Sequence, residues 1–197
     1  MASPALSRTS PLHSDDWVKA ALSRLRQDGI DAVRVELLAR DLGVSKGSFY
    51  WHFRDRAALL EAMLTRWEGG ELEWLGTAGR NTSAATRWAR FLDRTTEPER
   101  VHTEVAILAW AKKDADVAGR VALIDEKRTY LIAGVLRDIG FAPAAAKFWS
   151  EIASLLRLGW QDRITRGAEF PSASRALGDL LSEVILAATA RTSASTE

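Results

Sequence analysis

The stretch Leu38–Leu60, LARDLGVSKGSFYWHFRDRAALL, decides how this chain is read. Leu38, Ala39 and Leu42 recur at helical spacing and share one face. Gly43 follows where a helix must end in a left-handed conformation, which glycine adopts without steric cost. Ser45 then offers a hydroxyl to cap a second helix, and Phe49 and Phe53 supply that helix with a buried side. Ala39 is small where the two helices cross. A small residue, a glycine four positions on and an apolar residue six beyond that suit a tight two-helix corner. The second helix is left to expose Lys46, Ser48, Tyr50, Trp51 and His52. Its donors, cation and aromatic edges suit phosphates and base edges better than plain solvent. A helical hairpin with an aromatic core would account for Phe49 and Phe53, but not for an exposed Tyr50-Trp51-His52 run.

Outward from this corner the chain reads as all-α. Strand-like alternation is missing, and apolar residues recur at three- and four-residue spacing throughout. A first helix over about 15–28 turns Val18, Ala21, Leu22 and Leu25 inward, with Asp15 and Asp16 at its positive end. The helix-turn-helix occupies about 34–52. Asp55 caps a fourth helix bearing Leu59, Leu60, Met63, Leu64 and Trp67 on one face. Gly69-Gly70 interrupts it, costing roughly 2 kcal/mol against alanine, and is taken as the seam between two domains. Five more helices are expected over about 83–95, 97–112, 115–139, 142–166 and 172–190. Pro98 and Pro143 are tolerated in first turns, and Gly140 closes a helix. The expected organisation is a disordered arm at 1–14, a helix-turn-helix domain at 15–70, a second helical domain at 71–190 and a disordered tail at 191–197.

Composition removes several classes of function. With no cysteine in 197 residues, disulfides, thiolate-bound metals and thiol chemistry are excluded. The three histidines, His13, His52 and His102, fall at no metal-ligand spacing. No nucleophile elbow or glycine-rich phosphate loop occurs, so neither an enzyme nor a cofactor is expected. Asp125-Glu126-Lys127-Arg128 reads as a solvated charge run. No apolar run reaches membrane-spanning length and no secretory signal is recognised, so a cytoplasmic location is expected. A net charge of +1 argues against indiscriminate nucleic-acid coating. The basic character is local: Lys46, Arg54 and Arg56 meet only Asp55 in the segment.

At these residues, from about Trp17 to Leu64, the chain resembles the tetracycline-repressor (TetR) family of bacterial transcriptional regulators. The likeness rests on the first-helix stripe, the Gly29-Ile30-Asp31-Ala32-Val33 link, the SKGSFYWHF segment and the Phe53-x-x-Arg56-x-x-Leu59-Leu60 entry to the fourth helix. Arg34 stands where the family usually has a phosphate-touching threonine, and Arg56 replaces the usual lysine. Glu36 would meet DNA unfavourably unless it accepts from a cytosine amino group. The resemblance implies DNA contacts from Arg34, Ser45, Lys46, Gly47, Ser48, Tyr50, Trp51, His52 and Arg56. It further implies double-stranded DNA with a palindromic operator as partner, read by a homodimer across one helical turn. A small-molecule effector that releases the repressor is implied as well.

The helix around 144–166 is apolar along two lines, Phe148, Ile152, Leu155 and Gly159, and Trp149, Ala153, Leu156 and Trp160. The last helix adds Leu177, Leu180, Leu181, Val184 and Ile185. More apolar face than one core requires points to a second copy, and the first line and the last helix are taken as the dimer interface. Eight tryptophans are many for this length, and they fit either a bulky core or an aromatic-lined cavity. Under the cavity reading Trp88, Phe91, Glu104, Leu108, Trp110, Tyr130, Trp149 and Leu156 surround an apolar or aromatic ligand. His102 and Glu104 either anchor a polar group or sit at the surface. The competing functions are a DNA-binding regulator without a ligand and a helical small-molecule carrier with a vestigial head.

Overall fold

The computed structural model describes residues 12–78 and 82–165, so the expectations for most of the N-terminal arm, the last helix and the tail lie outside the described residues. The described residues contain helices and no strand, as expected of an all-α fold. The chain divides into two compact units between Trp67 and Glu68.

The first unit begins with α1, Ser14–Asp28. Ser14, assigned to the arm, is instead the first residue of this helix. The His13 backbone N–H donates to the Asp16 carboxylate at 2.9 Å, tying down the helix start. One 3-10 turn, Ile30–Ala32, leads to α2, Val35–Leu42, and α3, Lys46–Tyr50. Gly43 has φ 70° and ψ 31°. Its N–H donates to the Arg40 carbonyl at 3.1 Å, and the Val44 N–H donates to the Ala39 carbonyl at 2.9 Å, the paired bonds that close a Schellman stop. A Cβ at Gly43 would meet nothing within 4 Å, so glycine is required there by backbone conformation alone. Gly43→Ala is expected to cost about 1–2 kcal/mol, read as a lower thermal midpoint in circular dichroism.

The core of this unit is aromatic at its centre. Trp17, Phe49, Leu38, Leu59 and Met63 are fully buried. The Phe49 ring meets the Trp17 ring edge-on at 5.3 Å and stacks on Phe53 at 5.6 Å. The stripe Val18, Ala21, Leu22 and Leu25 is buried as expected. Trp17 completes it one residue earlier, placing an indole under the corner. Arg24 forks onto Asp41 through Nε at 2.5 Å and Nη2 at 2.6 Å, which fixes α1 against α2. Asp55 accepts from the Ala58 N–H at 2.8 Å, capping α4, Arg56–Ala78.

Gly69-Gly70 does not end α4, which runs on for two more turns. Their propensity cost is offset in part by the anchored Glu71, buried among arginines directly after them. In the second unit the rest of α4 is joined by α5, Ala84–Thr96, α6, Pro98–Ala111, α7, Ala115–Ile139, and α8, Pro143–Thr165. Ser83 caps α5 by accepting from the Thr86 N–H at 3.1 Å, and Asp114 caps α7 through the Asp116 N–H at 3.1 Å. Gly140, at φ 113°, ends α7. The helix α7 packs against α5, α6 and α8. Trp88 and Phe91 of α5, Ile132 and Leu136 of α7 and Ala153 of α8 form the apolar core there, with Trp74 packed at its edge.

Candidate nucleic-acid interface

The corner is built to present one short helix. Phe49 faces inward at 0% exposure while its neighbours Tyr50 and Trp51 stand 62% and 89% exposed. Burying Phe49 and Phe53 against Trp17 therefore turns the other side of α3 outward. Lys46 and Gly47 are exposed at its start, and Ser48 and His52 are half-buried. Two large aromatic side chains held in water forgo burial energy that the fold does not recover, so they point to a partner surface.

The nine residues expected at this surface divide by what their polar groups already do. Ser45 precedes α3 but its hydroxyl does not cap that helix, correcting the expected capping role. Lys46 Nζ lies 3.4 Å from the Glu36 carboxylate, with both side chains well exposed. Exposed pairs of this kind are weak, so Lys46 can exchange Glu36 for a phosphate or a base. The Glu36 carboxyl lies below its usual range through its own backbone N–H and the Lys46 contact. Arg34 Nε donates to the Asp31 carbonyl at 2.8 Å. Arg56 departs most from expectation. Its Nε donates to the Val33 carbonyl at 2.6 Å and its Nη2 to the Ile30 carbonyl at 2.9 Å. These bonds staple the start of α4 to the link before α2, so Arg56 acts first as a structural clamp.

The second unit contains a feature the sequence did not announce. Glu71 of α4, Arg94 of α5, Arg100 and Glu104 of α6, Asp125 and Arg128 of α7 and Arg157 of α8 form one ion-paired chain. Arg128 Nη2 donates to Glu71 at 2.7 Å, and its Nη1 donates to Glu104. Arg157 donates to Glu104 at 2.6 Å and to Asp125 at 2.7 Å. Arg100 reaches Glu71 twice, at 2.8 and 2.7 Å, and Arg94 reaches it at 3.0 Å. Glu71, Glu104, Arg128 and Arg157 are all buried.

This corrects two expectations. Glu104 is neither a surface residue nor an uncommitted ligand anchor, and Asp125 and Arg128 leave the charge run for the interior, while Glu126 and Lys127 stay exposed. Burial pushes the Glu71 carboxyl up, but Arg100 and Arg128 outweigh it and hold the carboxyl at about 2. Glu104 is likewise below its usual value, burial opposing the charges of Arg128, Arg157 and Arg100.

A carboxyl depressed on folding stabilises the fold above its unfolded value and loses that contribution as pH falls through the folded one. Acidification from about pH 4.5 toward pH 2 is thus expected to remove on the order of 3 kcal/mol from Glu71 alone. Helicity followed by circular dichroism against pH checks this. Full retention of helicity and cooperative melting at pH 2 would contradict it.

The residues expected around a ligand stand in different settings. Trp88, Phe91 and Trp110 are buried, Trp149 packs at the core's edge, Leu156 is exposed, and Tyr130 is 74% exposed with the Arg137 guanidinium 5.9 Å above its ring. Leu108 alone of the eight lines a cleft of about 600 Å³ between α6 and α8. Of the expected dimer residues, Phe148 and Leu155 are exposed at 55% and 63%, Gly159 is exposed and Ile152 is half-buried. Leu177, Leu180, Leu181, Val184 and Ile185 lie outside the described residues. Among the described residues no helix is long and apolar enough to cross a membrane.

The described residues thus form a helix-turn-helix unit and a second helical unit. Residues 18–63 match the model of bacterial regulatory proteins of the tetR family. The match lies within the N-terminal unit. The chain is 44% identical over 52 residues to the class A tetracycline repressor from transposon 1721 of Escherichia coli, and 36% identical over the same length to the class D repressor of Escherichia coli. Each match takes in 26% of this chain, which spans about a quarter (24%) of those relatives' length.

The whole fold is similar to that of solved regulators. A TetR transcription regulator from Haloarcula marismortui superposes with TM-score 0.73 at 16% identity, covering 88% of this chain and 96% of that one. A transcriptional regulator from Saccharomonospora viridis, solved in complex with choline, gives TM-score 0.73 at 16% identity over 87% and 94% of the two chains.

Proposed function

We propose that this chain is a homodimeric transcriptional repressor that binds a palindromic operator in double-stranded DNA through α3 and is released by a small-molecule effector held in the second unit. The observation that carries the reading is the outward face of α3. Lys46 and Tyr50 on α3, and Trp51 directly after it, stand in solvent, with the helix fixed from behind by Phe49 and Trp17. Lys46 and Ser48 are assigned to base edges, where lysine donates to guanine and serine to either partner. Ser45, Tyr50, Trp51 and His52 are assigned to the sugar-phosphate backbone, which positions the helix without specifying sequence. The family match over residues 18–63 lies within this unit, and it supports the same part of the reading.

The dimer is supported by the exposed Phe148 and Leu155 on α8, which a lone chain leaves in water. A second copy covering them would carry two α3 helices, and a two-fold arrangement asks for half-sites about 34–36 Å apart. The effector is proposed from the separate helical unit and its cleft, and the choline complex of the Saccharomonospora viridis regulator belongs to a protein of this fold. A cytoplasmic location follows from the proposed DNA partner. The test is sedimentation of the purified protein with and without a duplex carrying its selected site. Two chains per duplex, and a dimer without DNA, are expected. One chain per duplex at saturating protein would overturn the dimeric reading.

A further inference from the structure

The cleft between α6 and α8 has apolar walls and an incomplete polar floor. Val105 and Leu108 of α6 and Leu158 of α8 line its sides, with Lys112 and Asp162 among its remaining lining residues. Gln161 also lines it and is buried at 1% exposure. Its Oε1 accepts from Arg157 Nη1 at 3.0 Å. A guanidinium only donates, so this bond fixes which end of the amide is oxygen. The other end, Nε2, carries two hydrogens and has no hydrogen-bond partner. Buried donors are satisfied in nearly all folded proteins, so an acceptor that entered the cleft beside Nε2 would find a donor ready for it.

Charge points to what that group is. Arg157 belongs to the ion-paired chain that crosses this unit, in which four guanidiniums, Arg94, Arg100, Arg128 and Arg157, meet three carboxylates, Glu71, Glu104 and Asp125. Counted over these pairs alone, the chain carries one positive charge in excess, and its member Arg157 is bonded to the side chain that bears the unpaired amide nitrogen. An acceptor bearing negative charge answers both needs, and the walls suit an apolar body attached to it. Asp162 opposes an anion there and Lys112 favours one.

We propose that this cleft binds a small apolar monocarboxylate, its carboxylate accepting from Gln161 Nε2 beside Arg157 and its hydrocarbon body lying against Val105, Leu108 and Leu158. The proposal rests on the effector reading of the second unit and names the ligand class for it. A volume of about 600 Å³ accommodates such a molecule.

Decanoate is the probe, titrated calorimetrically into the full-length chain beside decan-1-ol, which keeps the body and lacks the charge, and choline, which reverses it. Decanoate is expected to bind at least tenfold more tightly than either. Gln161→Glu places a carboxylate beside Arg157 and neutralises the excess charge, so it is expected to weaken decanoate at least tenfold while leaving the fold intact by circular dichroism. Gln161→Leu, which removes the donor without adding charge, is expected to weaken it as well. Equal affinity for decanoate and decan-1-ol, a preference for choline, no decanoate binding by the unaltered chain, or decanoate affinity unmoved by both variants would each overturn the proposal. Binding of ligand-free protein to its DNA site, measured in the same samples, separates the two readings. Its failure would remove the regulator while leaving the cleft result standing.

Discussion

Replacing Lys46 and Tyr50 together with alanine is expected to reduce affinity for the selected DNA site roughly a hundredfold to a thousandfold. A side chain that touches a base or the sugar-phosphate backbone supplies about 1–3 kcal/mol, and each 1.4 kcal/mol is a factor of about ten. Both side chains are exposed, and Tyr50 touches the aromatic core only edge-on, its ring 5.3 Å from that of Phe49. The double variant should therefore keep its thermal midpoint, as surface substitutions usually do. Competition against nonspecific duplex separates the two contributions. The Lys46 change should relax discrimination between sites, and the Tyr50 change should weaken all sites alike. Undiminished affinity of the double variant for the same site would show that another surface reads the DNA.

The second large effect is predicted in the buried ion-paired chain, where the two signs of charge are not equivalent. Glu104→Gln removes one of three carboxylates and leaves four arginines sharing two, so that Arg128 and Arg157 are each deprived of a partner. Removing one member of a buried pair costs about 3–5 kcal/mol because the remaining charge is uncompensated. Arg157→Met removes a cation and leaves three arginines against three carboxylates, in a side chain of similar length. It is expected to cost clearly less. Denaturant titration of the two variants decides the point. If Arg157→Met were the more damaging, the excess positive charge would not be the governing term.

The helix-turn-helix was legible because its signals are local. The Gly43 stop, the Phe49 and Phe53 spacing and the Asp55 cap each act within a few residues, and each appears in the structure. The boundaries of α6, α7 and α8 were legible for the same reason, being punctuated by Pro98, Gly140 and Pro143.

What escaped the sequence is long-range. Arg128 meets Glu104 across 24 residues and Glu71 across 57, and no local pattern distinguishes a glutamate bound for a buried ion pair from one bound for solvent. The same separation hid Arg56, whose partners Val33 and Ile30 precede it by 23 and 26 residues. The two glycines of α4 do not end the helix, because propensity weighs only the backbone. Glu71, pinned by arginines of three other helices, favours continuing the helix where glycine disfavours it. At Trp17 the signal was present but undercounted. Its spacing to Ala21 placed it on the inner face, and its size made it the natural floor for Phe49.

The most direct test of the central claim is selection of bound fragments from random double-stranded DNA by the purified protein, in excess nonspecific competitor. The account predicts enrichment of a palindrome whose half-sites lie about one helical turn apart, with no such enrichment by the Lys46 and Tyr50 double variant. Recovery of unenriched sequence at concentrations where the protein is folded and dimeric would contradict it.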